Sequence, residues 1–336
     1  MDVWRAVCEH YIVSGVVVCW CVVWLYNLAT RGVCKSKARM EGKTVIITGA
    51  DSGIGKATAF DLAGRGARVI MAGINVDQAY IVRKQIIAKT LNNNIIVKNV
   101  DLSDMLSVRQ FAEDINRTEP RLDVLIHNAG VLLPGRLTTD QGLDMTFATN
   151  HFGPFLLTHL LLDLLKRTGR SRIVLVASSM HIAGKLDLSN PNPKKDASTS
   201  RLLFSWNMYC SSKLACVLCA RELARRLEGS EVTVNCLHPG LVCTSIVWNP
   251  CANVVGERLY TFFLPFLKTR RQGAQTTIHL AVSEELEGVT GKYFSNCKER
   301  TPATLTGDVE FAEKYWRLCE DIVGLDHSKT RNFRPS

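Results

Sequence analysis

Several things are missing, and each absence narrows the function. The chain has twelve cysteines but no pair of Cys-x-x-Cys motifs at zinc spacing. Beyond residue 43 it has no basic stripe interleaved with aromatics, no zinc-finger spacing and no RNA-recognition signature. A nucleic-acid partner is therefore not expected, although 41 basic residues against 31 acidic ones leave a net charge of +10. The lone Cys216-x-x-Cys219 lies in an apolar stretch and reads as small buried hydrophobes. Scattered thiols of this kind suit a reducing compartment. His127, His151, His181 and His238 have no second ligand at helical spacing, so they are assigned structural or polar packing roles and no metal is expected. No linker composition divides the chain, which predicts one domain over residues 43–300 with a C-terminal helix and tail over 301–336.

Charge is also missing from one long run. Residues 11–30, YIVSGVVVCWCVVWLYNLAT, contain no Lys, Arg, Asp or Glu. That length matches the roughly 20 apolar residues a bilayer-spanning helix needs. Trp20, Trp24 and Tyr26 suit an interface. A short flank, residues 1–10, precedes the run. The segment 31–42 follows it with Arg31, Lys35, Lys37 and Arg39. The positive-inside rule then places everything after residue 30 in the cytosol. A cleaved signal is the weaker reading, because the basic residues follow the apolar run and no small-residue cleavage site appears. An interfacial helix is the third reading. A single-pass anchor is expected, in the endoplasmic reticulum first, with a mitochondrial or lipid-droplet membrane as alternatives.

From Lys43 onward the pattern alternates. Short β-branched runs (KTVIITG, ARVIMAG, NIIVKNVDL, LDVLIHNAG, SRIVLVAS, EVTVNCLHPG) are separated by helical stretches, one of them a long stretch over 138–169. Repeated βα alternation with continuous apolar strands predicts a doubly wound, Rossmann-type parallel sheet with helices on both faces. Ser103 is a candidate cap for the helix that follows it. Two irregular segments, 182–204 and 244–270, are candidate binding loops, the second containing the apolar TFFLPFL.

The first strand runs into TGADSGIGKAT, which places Gly49, Gly53 and Gly55 between a strand and a helix. Glycines there let the backbone turn tightly against a pyrophosphate, and the helix presents unpaired N–H groups. Asp101 and Leu102 follow the third strand, placed for an adenine amine and ring. Asn128, Ala129 and Gly130 end the fourth. All lie at strand carboxyl ends, where open parallel sheets bind ligands. Tyr209 and Lys213 share a helix face at i and i+4.

Together these residues resemble the short-chain dehydrogenase/reductase family. The likeness is carried by Gly49, Gly53 and Gly55, by Asp101, Asn128-Ala129-Gly130, Asn150 and Ser178-Ser179, and by Tyr209-x-x-x-Lys213 and Pro239-Gly240 with Thr244. Stretches such as NHFGPFLLTHLLLDLLK and EGVTGKYFSNCKE are similar to the membrane-anchored retinol dehydrogenase branch. The resemblance implies a catalytic set of Asn150, Ser179, Tyr209 and Lys213. Tyr209 is the implied general acid/base, since an isolated phenol titrates at about pH 10 and needs a nearby cation. Lys213 is that cation and also holds the ribose. Ser179 binds the substrate oxygen together with Tyr209, and Asn150 holds a relay water. Ser178 is left as a strand-end hydrogen-bonding residue. The implied cofactor contacts are Gly49, Ser52, Gly53, Ile54, Gly55, Asp101, Leu102, Asn128, Ala129, Gly130, Tyr209, Lys213, Pro239, Gly240 and Thr244. A homodimer through the helices at 140–167 and 205–227 is a further implication.

The sequence departs from the branch in three places. The Ser179–Tyr209 interval is longer than in much of the family, as the branch itself tends to be. After the second strand, Gly73 and Ile74 stand where an acid would select NAD or a Cys-Arg pair NADP. Asp77 reads as a cap of the next helix, and Lys56 either offers charge at this site or decorates the helix. NADP(H) is favoured by the resemblance, with NAD(H) open beside it. His127 replaces a commoner asparagine and is expected to make one hydrogen bond across strands. The leading expectation is hydride transfer between NADP(H) and retinol or retinal. A steroid, polyprenol or other lipid carbonyl is the alternative substrate, and a membrane-anchored binding protein with little turnover is the reading from another class.

Overall fold

The computed structural model describes residues 31–192, 200–242 and 267–325, together with some residues between 11 and 30. β1 (Thr44–Thr48) is β-branched and buried at every position, as a strand covered on both faces should be. β2 (Arg68–Gly73) and β3 (Ile95–Asn99) extend the sheet to one side of it. β4 (Val124–His127), β5 (Arg172–Val176), β6 (Thr233–His238) and β7 (Tyr293–Ser295) extend it to the other, giving the order β3-β2-β1-β4-β5-β6-β7-β8. All pairs are parallel except the last, where β8 (Lys298–Arg300) returns antiparallel at an exposed edge. The direction of winding reverses between β1 and β4, which opens a crevice at their carboxyl ends.

Each face of the sheet has its own apolar core. On one side, α1 (Gly53–Gly64), α2 (Val76–Thr90) and α6 (Gln275–Val282) bury Ala59, Leu62, Val82, Ile86 and Ile278 against β1 and β2. On the other, α3 (Met105–Thr118), α4 (Gly153–Thr168), α5 (Arg201–Arg226) and α7 (Val309–Ile322) bury Phe111, Phe152, Leu161, Leu218 and Trp316. The doubly wound parallel sheet expected from the alternation is therefore present. β7 and β8 were not read as strands, since three residues each carry too little periodicity.

Several local expectations are corrected. The stretch 138–169 is not one helix. Gly142 has φ +74°, Asp144 caps a new start by accepting from the Phe147 N–H at 2.9 Å, and a π turn over Ala148–Phe152 precedes α4. α3 is capped by Asp104, not Ser103. Asp104 accepts from Leu106 N–H, while Ser103 is turned onto Asp101. α2 is capped by Asn75 with Asp77 inside its first turn. α5 starts at Arg201, capped by Ser200, so the irregular segment ends earlier than expected and Tyr209 lies well inside the helix.

The segment 31–42 is strapped onto the domain and is no loose tether. Arg31 donates to Gln272 Oε1 at 3.1 Å, the Cys34 N–H to Gln275 Oε1 at 3.0 Å, and Arg65 to the Ser36 and Ala38 carbonyls. A Cβ on Gly32 would lie 2.1 Å from the Asn296 carbonyl carbon, so only glycine fits. α7, placed outside the catalytic unit by sequence, is part of its core: Tyr315 and Trp316 are buried, and Trp316 packs on Phe155 of α4 at 4.7 Å. Among the described residues no helix is long and apolar enough to cross a membrane. The run 11–30 is described only in part, and those residues are helical, with Trp20 and Trp24 stacked at 6.3 Å. Most of the loop 244–270, with Thr244, and residues 193–199 lie outside the described residues.

Candidate active site

The carboxyl ends of β1, β4, β5 and β6 bring the expected residues to one edge. β1 ends in a turn where Gly49 has φ +65° and Gly53 φ +55°, conformations that side chains with a Cβ rarely adopt. A Cβ on Gly55 would lie 2.1 Å from the Gly49 carbonyl oxygen, so the turn closes only without one. Ser52, exposed at the cap position of α1, makes no side-chain cap, and the first turn holds no acid. The first N–H groups of α1 are thus left for a ligand, and the helix dipole favours an anion there. Ile54 is the second residue of this helix. The donor set, the positive-φ glycines and the absent cap fit a dinucleotide pyrophosphate.

Asn128 braces this turn. Its Nδ2 donates to the Thr48 and Gly49 carbonyls at 2.9 and 3.1 Å, and Thr48 Oγ1 accepts from the Asn128 and Ala129 N–H groups at 3.0 Å each. Its amide donors are spent on the protein. Asp101 sits at the end of β3, with one carboxylate oxygen accepting from both the N–H and the hydroxyl of Ser103. Leu102, expected against an adenine ring, is instead 4% exposed in the α3/α4 core. Its carbonyl packs where a Cβ on Gly153 would be, at 2.0 Å.

Tyr209 and Lys213 lie on α5 beside the end of β5. Lys213 is buried and donates to the Val176 carbonyl at 3.0 Å, and its Nζ stands 5.8 Å from the centroid of the Tyr209 ring. An ammonium has further donors to offer, and Gly130 leaves the space beside them, because a Cβ there would lie 3.1 Å from Lys213 Nζ and 3.3 Å from Asn150 Oδ1. Asn150 sits in the π turn, a distortion that often marks functional positions. Its Oδ1 accepts from Val131 N–H at 2.7 Å, and its Nδ2 donates to the Val131 carbonyl and to Ser212 Oγ. Ser212 Oγ in turn donates to the Tyr209 carbonyl at 2.8 Å. Ser212 was missed by sequence reasoning, since a serine inside a helix carries no signal until Asn150 is seen opposite it.

Ser179 opens the short helix Ser179–Ala183 after β5 and is half-buried; its N–H donates to His238 Nδ1 at 3.1 Å. Its hydroxyl makes no hydrogen bond among the described residues. Ser178 caps the same turn, accepting from Met180 N–H, the strand-end role expected of it. Pro239 and Gly240 follow β6. Lys268, also missed, donates to the Pro239 carbonyl at 3.0 Å and to Asn296 Oδ1 at 2.6 Å, and fills the space beside Gly240. Burial lowers its pKa from the usual lysine value.

The histidines near this edge are held by the protein. Thr158 Oγ1 gives its proton to the Pro154 carbonyl, so His127 Nε2 donates to that hydroxyl at 2.7 Å; the bond runs to α4, not across strands. Burial pulls the His127 pKa down to about 3, and its Nδ1 has no partner among the described residues. His238 is lowered to about 4 by burial and by the nearby Lys268. His181 donates through Nδ1 to the Ser178 carbonyl and accepts from Ala303 N–H. At the second-strand turn Ile74 is exposed, and Lys56 donates to Gln85 on α2 at 2.8 Å.

A crevice at the switch point, a glycine turn that leaves a helix N-terminus open, and a tyrosine–lysine pair with an anchored asparagine define an oxidoreductase of the short-chain dehydrogenase/reductase family, and the chain belongs to it. Residues 43–188 match the short chain dehydrogenase family. Human retinol dehydrogenase 13 is 41% identical over 312 residues, covering 92% of this chain and 93% of that protein. Human retinol dehydrogenase 12 is 40% identical over 88% of this chain and 90% of its own length. Among solved structures, an uncharacterised protein from Mycobacterium paratuberculosis is 30% identical, with a TM-score of 0.69 over 88% of this chain and 98% of its own. A short chain dehydrogenase from Burkholderia cenocepacia, in complex with NADP, shares the fold at 24% identity, with a TM-score of 0.60 over 76% of this chain and 96% of its own.

Proposed function

We propose that this chain transfers a hydride between NADP(H) and a lipophilic alcohol or carbonyl, with retinol and retinal as the leading pair. The observation that carries the reading is the joined set of Asn150, Ser212, Tyr209 and Lys213 beside the glycine turn. Relatives named as retinol dehydrogenases, similar over about nine-tenths of both chains, support the substrate class.

The glycine turn and the first N–H groups of α1 would hold the pyrophosphate, and Lys213 the nicotinamide ribose. The bound nucleotide supplies or accepts the hydride. Tyr209 gives a proton to the carbonyl oxygen in reduction and takes one from the alcohol in oxidation. Lys213 supplies positive charge beside its ring, and a positioned acid/base of this kind is worth about 10²–10⁴ in rate. The Ser179 hydroxyl orients the substrate oxygen, its backbone fixed by His238. Asn150 ties the Val131 loop to α5, and a relay water would take its remaining acceptor capacity. Pro239 and Gly240, held by Lys268, would border the nicotinamide, with Thr244 beyond them.

NADP(H) is preferred over NAD(H) on the family resemblance, because the second-strand turn has neither an acid nor an arginine at Gly73 or Ile74 and Asp51 Oδ1 lies 3.7 Å from where a Cβ on Gly73 would be. The run 11–30 would anchor the chain in a membrane with the domain in the cytosol, where a lipophilic substrate is concentrated. Fluorescence titration with NADPH and NADH side by side tests the cofactor, and failure to bind either overturns the enzyme reading. A substrate panel on membranes containing the full chain tests retinal. If steroid or polyprenol carbonyls turn over and retinal does not, the substrate assignment falls.

A further inference from the structure

Next to Asn150, the structure holds a group of residues that hydride transfer does not use. His151 Nε2 lies 3.3 Å from Cys319 Sγ and 4.0 Å from Cys219 Sγ. The three donor atoms all lie within 4.8 Å of one another, and all three residues are buried. They come from three elements: the π turn before α4, the middle of α5, and α7. Around a tetrahedral zinc ion, with bonds of about 2.0 Å to nitrogen and 2.3 Å to sulfur, a nitrogen and a sulfur donor sit about 3.5 Å apart. The two measured separations bracket that value.

A small cavity of 20 Å³ adjoins His151 and Cys219, and its other walls are mostly apolar, among them Phe155, Leu175 and Leu223. The Tyr315 hydroxyl is fully buried beside Cys319, with no well-aligned hydrogen bond among the described residues, and its ring lies 5.9 Å from that of His151. A metal-bound thiolate at Cys319 would give that hydroxyl a stronger acceptor. Two thiolates and a neutral imidazole balance a divalent charge, so the complex adds no net charge to the core.

We propose that His151, Cys219 and Cys319 form a structural site for a soft divalent cation of the zinc type. Binding deprotonates both thiols and releases their protons. The ion staples α7 to the α5 helix that carries Tyr209 and Lys213, and to the turn that carries Asn150.

The test uses the full chain, purified under reductant without chelator. Elemental analysis is expected to find one zinc per chain, and zinc returned after chelation should raise the thermal midpoint. Cobalt substitution should give a thiolate-to-metal charge-transfer band. Cys219→Ala and Cys319→Ala should each abolish the bound zinc and the zinc-dependent thermal shift. The proposal is overturned if wild-type protein with all thiols reduced neither retains zinc nor responds to zinc or cobalt, a result that does not depend on whether the variants fold. It is equally overturned if peptide mapping finds Cys219 and Cys319 joined as a disulfide, or if the metal survives both substitutions.

Discussion

Among single residues, a hydroxyl at position 209 separates chemistry from binding. Tyr209→Phe removes the proton donor but leaves the Lys213–Val176 bond and the glycine turn untouched. Turnover should fall by about 10³-fold while the NADPH dissociation constant changes by less than about threefold. Pre-steady-state and titration data on one preparation check this, and surviving turnover would remove Tyr209 from the mechanism. Ser212→Ala acts through its neighbours, since Ser212 touches Asn150 and the Tyr209 carbonyl. Losing such neutral hydrogen bonds costs about 1 kcal/mol. That converts to a fall of roughly fivefold in kcat with KM nearly unchanged. A change confined to KM would contradict a positioning role. The i, i+4 spacing by itself put Tyr209 and Lys213 on one helix face, whereas Asn150 and Ser179 were legible in the sequence only through the family resemblance. Ser212 and Lys268 were not, because their partners are distant in sequence and only the fold makes them neighbours.

At the level of elements, glycines mark where two of them meet. The Leu102 carbonyl, after β3, sits where a Cβ on Gly153 would be. Gly153→Ala must push α4 away from that carbonyl, at a cost of about 3 kcal/mol. Chemical denaturation should show the midpoint falling with the m-value unchanged; an unshifted midpoint would mean α4 slides at little cost. The same close approach explains why Leu102, expected on a cofactor, is in the core. No local pattern distinguishes the two, because a leucine after a strand suits either place. Capping was misassigned for a related reason: Ser103 and Asp104 are both good caps, and the choice fell to Ser103's bond with Asp101.

At the scale of the whole molecule, buried histidines set the acid limit. Burial depresses His127 to about 3 and His238 to about 4. Their unfolded-state value is about 6.5. Between those values the unfolded chain binds protons that the folded chain does not, so stability is fully present above about pH 6.5 and falls as pH drops towards 4. Each histidine contributes a slope of about 1.4 kcal/mol per pH unit there. Thermal midpoints measured from pH 7.5 to 4.5 should decline steadily, with His127→Gln flattening the decline. An unchanged slope in that variant would show that His127 does not carry the effect. A second whole-molecule expectation concerns the run 11–30: the full chain should stay with membranes after alkaline carbonate extraction, and its release would refute the anchor. The homodimer expected through 140–167 and 205–227 must accommodate α7, which already packs on α4 and α5.

The sequence alone determined the sheet class, the glycine turn and the placement of Tyr209 and Lys213 on one helix face, because these depend on local periodicity, on glycine's access to positive φ, and on the fixed spacing of a helix face. Only the tertiary structure decided that residues 31–42 are strapped to the domain, that α7 completes the core, and that His151, Cys219 and Cys319 meet. Those contacts join residues from distant parts of the chain, and no local pattern encodes the distance between them.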